Sequence, residues 1–337
     1  MTEVSEKEFL ALVADAARAP SIHNVQPARW RRVDSRTIEL HADSSRWLRV
    51  SDPEARDDRL SLGAALEGMS LALSSRRKSL KVVELAPFAP PEGDQSRLVA
   101  RLEVAPVGAD TDPLASAISV RATWRGKFAR CAPVELHALQ NSLSSLMPVT
   151  AITRPAEIDW IAERYESASL AALGNPGYFA ELWSWLRLSR RHPRWDKDGL
   201  NADAMALHAP ERALASVLMR PKVFMGLART GLARWVVTET PKIVSASAIL
   251  LPTAPVEEDP LVTGRSFYRL WLRIAQLGLA LCPMSALSDT REGQEALQSR
   301  FAIGRDQRIV NVLRVGRLPK GTEANLAPRL DVGELVM

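Results

Sequence analysis

Cysteine is scarce in this chain of 337 residues, which contains only Cys131 and Cys282. Two cysteines in unrelated surroundings exclude a cysteine-based metal site and a disulfide framework, and they fit a reducing cytoplasm. Long hydrophobic runs are also missing, because the uncharged stretches 243–256 and 274–288 are shorter than the ~20 residues that span a bilayer. The N-terminus is acidic and polar, so we expect no signal peptide and no membrane partner.

Lysine is scarce too, and the net charge of +5 comes mostly from arginine. The arginines are spread along the chain rather than clustered beside aromatic side chains, which argues against a nucleic-acid partner. Apolar residues make up 46% of the chain and charged residues 25%, as in an ordinary globular protein. The length allows one large domain or two medium ones with a substantial core.

A short proline-bounded loop is the most informative stretch of the sequence. Pro20 and Pro27 restrict the backbone between them, where Ser21, His23, Asn24 and Gln26 follow one another closely. A rigid loop with these donors and acceptors suits a flat heteroaromatic ligand with hydrogen-bonding edges. The alternative is a turn whose polar side chains cap their own backbone.

Periodicity and capping signals predict helices and strands in alternation. We expect helices after Ser5 and over 61–77, 133–145, 155–173, 178–191, 223–237 and 264–281. Strands are expected over 28–33, 37–43, 80–86, 97–105, 148–153, 242–251 and 308–316. The pattern loosens between 192 and 221, as it often does in a lid or a binding loop.

A basic segment follows the first group of strands. Arg121, Thr123, Arg125 and Lys127 alternate along it, and such a set could hold a phosphate because arginine presents a planar fork of donors to oxyanions. The alternative is a solvated basic turn.

Two helices of the chain also resemble each other. The helix around Gly63 aligns with the helix around Gly264 without a gap, which hints at an internal duplication.

These stretches together resemble the nitroreductase-like flavoprotein superfamily, and most of all its duplicated, Acg-like branch. The loop Ala19-Pro-Ser-Ile-His-Asn-Val-Gln-Pro27 resembles the family's flavin motif A-P-S-x-x-N-x-Q-P-W. The segment 121–128 resembles its R-R-S-x-R-x-F motif at the flavin phosphate, with Thr123 in place of the serine. The stretch 264–285 resembles the helix that ends in Gly-Leu-x-x-x-Pro.

The middle and the end of the chain carry the same resemblance. Glu181-Leu-Trp-Ser-Trp185 and Asp198-Gly-Leu200 look like segments of the Acg-like branch. Arg314-Val-Gly316 and Arg329 stand where the family places its last strand and a second phosphate-binding cation.

The resemblance implies an α+β, nitroreductase-like fold with mixed, mainly antiparallel sheets flanked by helices. It implies two fused halves, 1–110 and 111–337, that form an intramolecular pseudo-dimer, with a lid-like insertion at about 192–237. The first half lacks an R-R-S-like motif before its loop, so one flavin site per chain is expected. The residues it assigns to an FMN site are Pro20, Ser21, His23, Asn24, Gln26, Arg121, Thr123, Arg125, Pro283, Met284, Ser285 and Arg329.

The function that the resemblance implies is an FMN-dependent oxidoreductase with NADH or NADPH as electron donor and a nitroaromatic, a quinone or a similar small molecule as acceptor. The flavin carries that chemistry, so no catalytic side chain is required. His23 is a weak candidate proton donor, and a hydrogen bond that fixes the loop is the expected role of its ring.

Two other functions stay open. One is an FMN-sequestering protein whose lid permits little turnover, and the other is a basic nucleic-acid-binding module. We expect a cytoplasmic protein, either a monomeric pseudo-dimer or a homodimer.

Overall fold

The computed structural model describes residues 3–91, 93, 95–106, 111–143, 145–322 and 326–337. Its helices are α1 (Glu6–Ala16), α2 (Arg56–Ser74), α3 (Pro133–Leu143), α4 (Pro155–Gly174), α5 (Pro176–Trp185), α6 (Ala209–Leu218), α7 (Pro221–Arg229), α8 (Thr240–Ile243), α9 (Pro260–Gln276), α10 (Arg291–Phe301) and α11 (Val332–Leu335). Its strands are β1 (Ala28–Arg32), β2 (Thr37–Asp43), β3 (Lys78–Leu85), β4 (Ser96–Pro106), β5 (Val149–Ile152), β6 (Leu186–Arg187), β7 (Leu200–Asn201), β8 (Ala248–Pro255), β9 (Ala280–Pro283), β10 (Gln307–Ile309) and β11 (Leu313–Gly316).

The first sheet is antiparallel, with the strand order β1-β2-β4-β3. The predicted hairpin of β1 and β2 is confirmed, and Trp30 pairs with Leu40 across it. Ile38, Leu40 and Ala42 alternate into the core with at most 1% of their surface exposed. Because side chains alternate along a strand, these three residues place one face of β2 in the core.

The second sheet has the order β10-β8-β11-β9, with β5 on the free side of β8, and all of its pairs are antiparallel. Its central strand β8 is buried from Ala248 to Ala254. The strand predicted at 242–251 is therefore shifted. Pro241 lies in the first turn of α8, so the chain is helical through Ile243 and extended only from Ala248.

Helices α2 and α9 cross between the two sheets with their backbones in contact. A methyl group on Gly63 would lie 2.1 Å from the carbonyl oxygen of Leu261, and one on Gly264 would lie 2.1 Å from that of Leu60. Only glycine allows helices to approach so closely. Arg59, which is fully buried, also pairs across this seam with Asp259 at 2.8 Å.

Helix α9 differs from its predicted bounds at both ends. Asp259 caps it by accepting a hydrogen bond from the Leu261 N–H at 2.9 Å, so it begins before Gly264. It ends at Gln276 because Gly278 is left-handed, with φ of +71°, and the chain then forms β9 instead of continuing as a helix to Leu281.

The region after α5 also departs from the prediction. The helix predicted to reach Arg191 ends at Trp185, where the chain enters β6 and pairs in parallel with β7. The predicted helix over 223–237 is α7 followed by a short 3₁₀ turn at Leu232–Trp235, and α6 lies in the stretch expected to be irregular. Helix α10 was not predicted.

Helices with two antiparallel sheets confirm the α+β class. The expected boundary at residue 110 and the last residues of the helix predicted to reach 145 involve positions 107–110 and 144, which lie outside the described residues. None of the helices in the described ranges is both long enough and apolar enough to cross a bilayer.

Candidate functional site

The loop at 20–27 forms one wall of a large cavity, and its own polar groups hold its shape. The Ser21 hydroxyl accepts from the Gln26 N–H at 2.9 Å, and the Ser21 carbonyl accepts from the Asn24 N–H at 3.0 Å. His23, Asn24 and Gln26 are left-handed, with φ of 44°, 57° and 54°. Three such residues within four positions are uncommon for side chains larger than glycine, so surrounding contacts must hold them.

Asn24 and Gln26 provide those contacts by tying the loop to distant parts of the chain. The Asn24 side chain donates to the Pro328 carbonyl at 2.9 Å and accepts from Arg329 at 2.8 Å. Gln26 donates to the Lys197 carbonyl and accepts from the Leu330 N–H, both at 2.9 Å. Asn24 still lines the cavity, whereas Gln26 lies behind its wall.

His23 lines the cavity between these anchored neighbours. Its ring has no hydrogen-bond partner within the described part of the chain, so the expectation that the ring fixes the loop is not met, and Ser21 and Asn24 do so. Burial, with nearby Arg125 as the next cause, lowers the pKa of His23 to about 4. The ring is therefore neutral at pH 7.

Two guanidinium groups lie beside the loop, that of Arg121 buried and that of Arg329 partly buried, and they converge on a single carbonyl. Arg121 donates to the Arg18 carbonyl at 2.6 Å, and Arg329 donates to the same oxygen at 3.1 Å. Arg121 also stacks over Trp271, 4.9 Å from the ring centroid. No carboxylate in the described ranges pairs with either cation, although the arginines come from segments about two hundred residues apart.

Unsatisfied polar atoms remain in this pair. The Nε atoms of Arg121 and Arg329 are buried without a hydrogen-bond partner among the described residues. Burial, followed by repulsion from Arg121, lowers the pKa of Arg329 to about 9. Buried polar groups normally find partners, so this end of the cavity suits an anionic oxygen-rich group such as a phosphate.

The rest of the basic segment lies beside β9. Thr123 forms an isolated bridge with Leu281, and the next amide, that of Trp124, donates to the Leu281 carbonyl at 3.0 Å. Arg125 lines the cavity, donates to the Ala204 carbonyl at 3.1 Å, and has its pKa lowered by burial. The alternative of a solvated basic turn is therefore wrong for Arg121 and Arg125, because both side chains are enclosed.

The turn after β9 contributes part of what the resemblance assigned to it. Pro283 and Ser285 line the cavity. Met284 points instead into the core of the second sheet with 2% of its surface exposed, and its N–H donates to the Val312 carbonyl at 2.7 Å. The structure thus brings ten of the twelve assigned residues to one cavity and leaves Gln26 and Met284 behind the wall.

Several lining residues were not assigned from the sequence. Arg314 on β11 is 1% exposed and donates to the carbonyls of Gly126, Lys242 and Arg125. Its one signal is an arginine inside an otherwise apolar strand. Asp57 of α2 lines the cavity as well, and burial raises the pKa of its carboxyl. Nothing in the sequence pattern marks it.

A further side of the cavity is mostly apolar and comes from residues 186–237, which we refer to as the cover. Its cavity-facing side chains include Leu186, Leu188, Leu200, Met205, Leu207, Ala215, Met219, Val236 and Val237. One buried carboxylate anchors its first part: Asp198 is 1% exposed and accepts from Arg46, Arg187 and Arg194, whose hydrogen bonds lower its pKa although burial opposes this.

The cavity measures about 430 Å³, within the range of small-molecule sites. Five cationic side chains line it, but only two carboxylates do. Within the described residues, no group of three or more His, Cys, Asp or Glu side chains could hold a metal ion. The cations at one end and the apolar side chains elsewhere in the lining suit an organic ligand with an anionic end and an apolar body.

Comparison with known proteins gives the following result. No family model matches the sequence. The chain is 40% identical over 121 residues to a Mycobacterium tuberculosis protein named "Putative NAD(P)H nitroreductase", covering 35% of this chain and 33% of that protein. It is 30% identical over 195 residues to "Putative NAD(P)H nitroreductase acg" of the same organism, covering 55% of each. The chain thus spans from a third to about half the length of these curated relatives.

A crystal structure described as "a putative nitroreductase" from Anabaena variabilis is 11% identical, with 93% of this chain and 74% of that chain covered and a TM-score of 0.44. A likeness this weak carries no argument. The sequence relatives agree with the resemblance to the nitroreductase-like superfamily that the motifs carry. By sequence, the chain is similar to two proteins named as NAD(P)H nitroreductases, over a third to about half of their length.

Proposed function

We propose that this protein is an FMN-dependent oxidoreductase that takes electrons from NADH or NADPH and passes them to a nitroaromatic, a quinone or a similar small acceptor. The observation that carries the proposal is the pair of guanidinium groups of Arg121 and Arg329, each with a buried Nε atom that lacks a partner among the described residues. A phosphate dianion would neutralise both, at about 1.5–3 kcal/mol for each charge-assisted hydrogen bond.

The residues of the cavity fit FMN in their chemistry. Arg121 and Arg329, with Arg125 nearby, would hold the phosphate. Ser21, His23 and Asn24 line the same cavity with polar groups that could meet the edge of the ring system, and Thr123, Pro283 and Ser285 complete that side. Bound FMN supplies two-electron transfer between a reduced nicotinamide and an acceptor.

The chain's own part is to bind, to orient and to exclude water. The anchored loop keeps its donors and acceptors in fixed directions, which lowers the entropy lost on binding. His23 is neutral at pH 7, so it can both donate and accept a hydrogen bond without adding charge. The apolar side chains of the cover keep water from their side of the cavity.

The relatives' names support NADH or NADPH as donor, since both are named NAD(P)H nitroreductases. The decisive experiment is an absorbance spectrum of the purified protein, supplied with FMN, before and after anaerobic addition of NADPH or NADH. A yellow protein that bleaches supports the proposal. A protein that does not retain FMN would overturn it.

The cover favours a second candidate, an FMN-sequestering protein with little turnover. Residues from 186 to 237 close the cavity with apolar side chains, and such a cover could retain FMN while blocking the nicotinamide. In the same spectrum, this candidate predicts a yellow protein. Neither NADPH nor NADH should bleach it within the time that bound FMN needs to dissociate from the protein.

The same proposal includes two fused halves, 1–110 and 111–337, with the cover as an insertion in the second. The reciprocal contacts of the α2–α9 seam support it, because Gly63 meets Leu261 while Gly264 meets Leu60. Reciprocal contacts are typical of the two-fold interface between identical subunits. Since the cavity takes residues from both halves, we expect one FMN per chain by titration. Two equivalents per chain would contradict this arrangement.

The remaining proposals concern surroundings and partners. We place the protein in a reducing cytoplasm, where Cys131 and Cys282, both free thiols, would stay reduced. Its partner in the reaction is a small-molecule acceptor, with no role for nucleic acid. Sedimentation would distinguish a monomeric pseudo-dimer from a homodimer.

A further inference from the structure

The outer surface of the cover carries an unusual set of side chains. Leu214, Val217, Leu232 and Trp235 are exposed by 59%, 49%, 50% and 73%, and Val223 by 38%. On α6 these positions follow the helical spacing, since Ala213, Leu214 and Val217 all face solvent. Residues 209–238 thus keep an apolar outer stripe that the core does not use.

The inner faces of the same elements pack on one small cluster. Phe224 of α7 and Ala233 of the following turn are buried against Phe179 of α5, and Met219 joins them from the end of α6. Phe179 and Phe224 stack with centroids 4.2 Å apart. Because the inner faces share one cluster, the exposed side chains of these elements lie on its solvent side, and we refer to them as the outer layer.

Basic residues are interspersed with this apolar layer. Residues 209–238 contain five cations and one carboxylate, which gives this short segment most of the chain's net charge of +5. Arg220, Lys222, Arg229 and Arg234 are exposed, and none of them forms an ion pair with any described residue. Arg234 lies over the Trp235 ring at 5.2 Å.

We propose that the outer face of residues 209–238 docks on an anionic phospholipid bilayer surface. Exposed leucine, valine and tryptophan beside unpaired Lys and Arg are the composition of helices that lie in the interface of an anionic membrane. We expected no membrane partner because the sequence lacks a spanning segment and a signal peptide. Neither feature is needed for docking on a membrane surface. The docking does not depend on the proposed catalytic function.

Two other partners fit less well. A second copy meeting this face with its own would place like charges together, which opposes association. A nucleic acid would satisfy the cations but would leave Leu214, Val217 and Leu232 against phosphates, and Trp235 is the only aromatic side chain on the outer layer that could stack with bases.

The test is co-sedimentation of the full-length protein with vesicles of equal parts phosphatidylglycerol and phosphatidylcholine, with pure phosphatidylcholine vesicles alongside. Binding is expected to the first and to be at least tenfold weaker to the second. It should weaken as salt rises, because the Debye length shrinks. No binding to anionic vesicles, or equal binding to both kinds, would overturn the proposal.

Variants then locate the surface. Each of Lys222→Gln, Arg229→Gln and Arg234→Gln should weaken binding about fivefold, and Trp235→Ala about tenfold. Val134→Ala is the matched control for exposed apolar area, since Val134 is 72% exposed on α3, and it should change nothing. All these side chains are on the surface, so the variants should fold.

Two further outcomes would reassign the face. If Trp235→Ala converts a dimer to a monomer while vesicle binding stays undetectable, the surface is an interface between copies and the lipid proposal is wrong. If duplex DNA displaces the protein from vesicles and binds more tightly than they do, a nucleic acid is the partner and the proposal fails.

Discussion

The cationic wall of the cavity and its apolar cover differ in how their side chains are held. In the wall, guanidinium groups and left-handed loop residues are fixed by hydrogen bonds to backbone carbonyls and amides from distant segments. The cover is held by the ion pairs of Asp198, by hydrogen bonds that Gln26 and Arg125 donate to its carbonyls, and by one small cluster around Phe224. Much of its outer surface is exposed. Local stability follows such differences in burial and contact density, so the cover should open at a lower free-energy cost than the wall.

The largest effect should come from the same substitution made on each side of this comparison. Gly264→Ala puts a methyl group 2.1 Å from the Leu60 carbonyl in the seam that supports the wall, and a backbone atom cannot rotate away. We expect a loss of about 4 kcal/mol or more in the free energy of unfolding, measured by urea denaturation. Gly226→Ala on α7 meets nothing within 4 Å and should stabilise its helix by about 0.5–1 kcal/mol. Equal effects of the two substitutions on the free energy of unfolding would show that the α2–α9 seam is no more rigid than α7.

The second prediction weakens the cover alone. Phe224 is fully buried and stacks on Phe179, so Phe224→Ala should lower the free energy of opening the cover by about 3 kcal/mol. Hydrogen exchange should show faster exchange across 209–237 with the α2–α9 seam unchanged, and FMN should dissociate faster. The neighbouring Val223→Ala, at an exposed position, should change the opening by less than about 0.5 kcal/mol.

Limited proteolysis gives an independent check on the same region. If the cover gates the site, trimming the bend between Arg194 and Ala209 should speed both flavin reduction and FMN loss, and added FMN should slow cleavage there. A bend that resists protease equally with and without FMN, and whose trimming changes neither rate, would be a static part of the core.

The third prediction concerns the wall. Arg121→Ala should weaken FMN binding roughly ten- to hundredfold, because it removes a charge-assisted contact of about 1.5–3 kcal/mol. Cys131→Ala, on a half-buried thiol outside the cavity lining, is the control and should bind FMN normally. Flavin content measured after purification compares the two. Equal content would remove Arg121 from the cofactor site.

Several features of the wall and of the fold that supports it could be predicted from local sequence. The proline-bounded loop and the alternating cations of 121–125 carry their signals within ten residues, and the hairpin of β1 and β2 follows from strand alternation. The reach of Asn24 to Pro328, or of Gln26 to Leu330, could not be predicted, because no local pattern records which distant backbone groups will be nearby.

The errors have physical reasons of the same kind. Apolar spacing continues from α9 into β9, so periodicity extended the helix to Leu281, although the backbone at Gly278 had already ended it. Arg314 was placed on a strand but not in the site, because its burial depends on three carbonyls from other segments. The polar bend before α6 made the sequence of the cover look irregular. In the structure, Asp198 and its three arginines hold that bend in place.

The smallest effect is a pH dependence that belongs to the wall. Burial lowers the folded-state pKa of His23 to about 4, whereas the unfolded value is 6.5. Below pH 6.5 the unfolded chain takes up a proton that the folded chain refuses, so the stability contributed by the neutral ring is full above pH 6.5 and is lost as pH falls toward 4. The whole shift corresponds to about 3 kcal/mol, which water in the cavity should reduce to about 1–2 kcal/mol.

His23→Gln isolates this contribution, because glutamine keeps a polar side chain but does not titrate. Other groups also act in this pH range: burial raises the pKa of Asp52 to about 7 and that of Asp58 to about 6, and both make the folded state more stable as pH falls. They are present in both proteins and cancel in the difference. The wild type should therefore lose about 1–2 kcal/mol more than His23→Gln between pH 7 and pH 4.5, measured by urea unfolding without FMN. If the free energy of unfolding depends on pH in the same way for the two proteins, the His23 ring is solvated. The loop wall would then be more open than the cover.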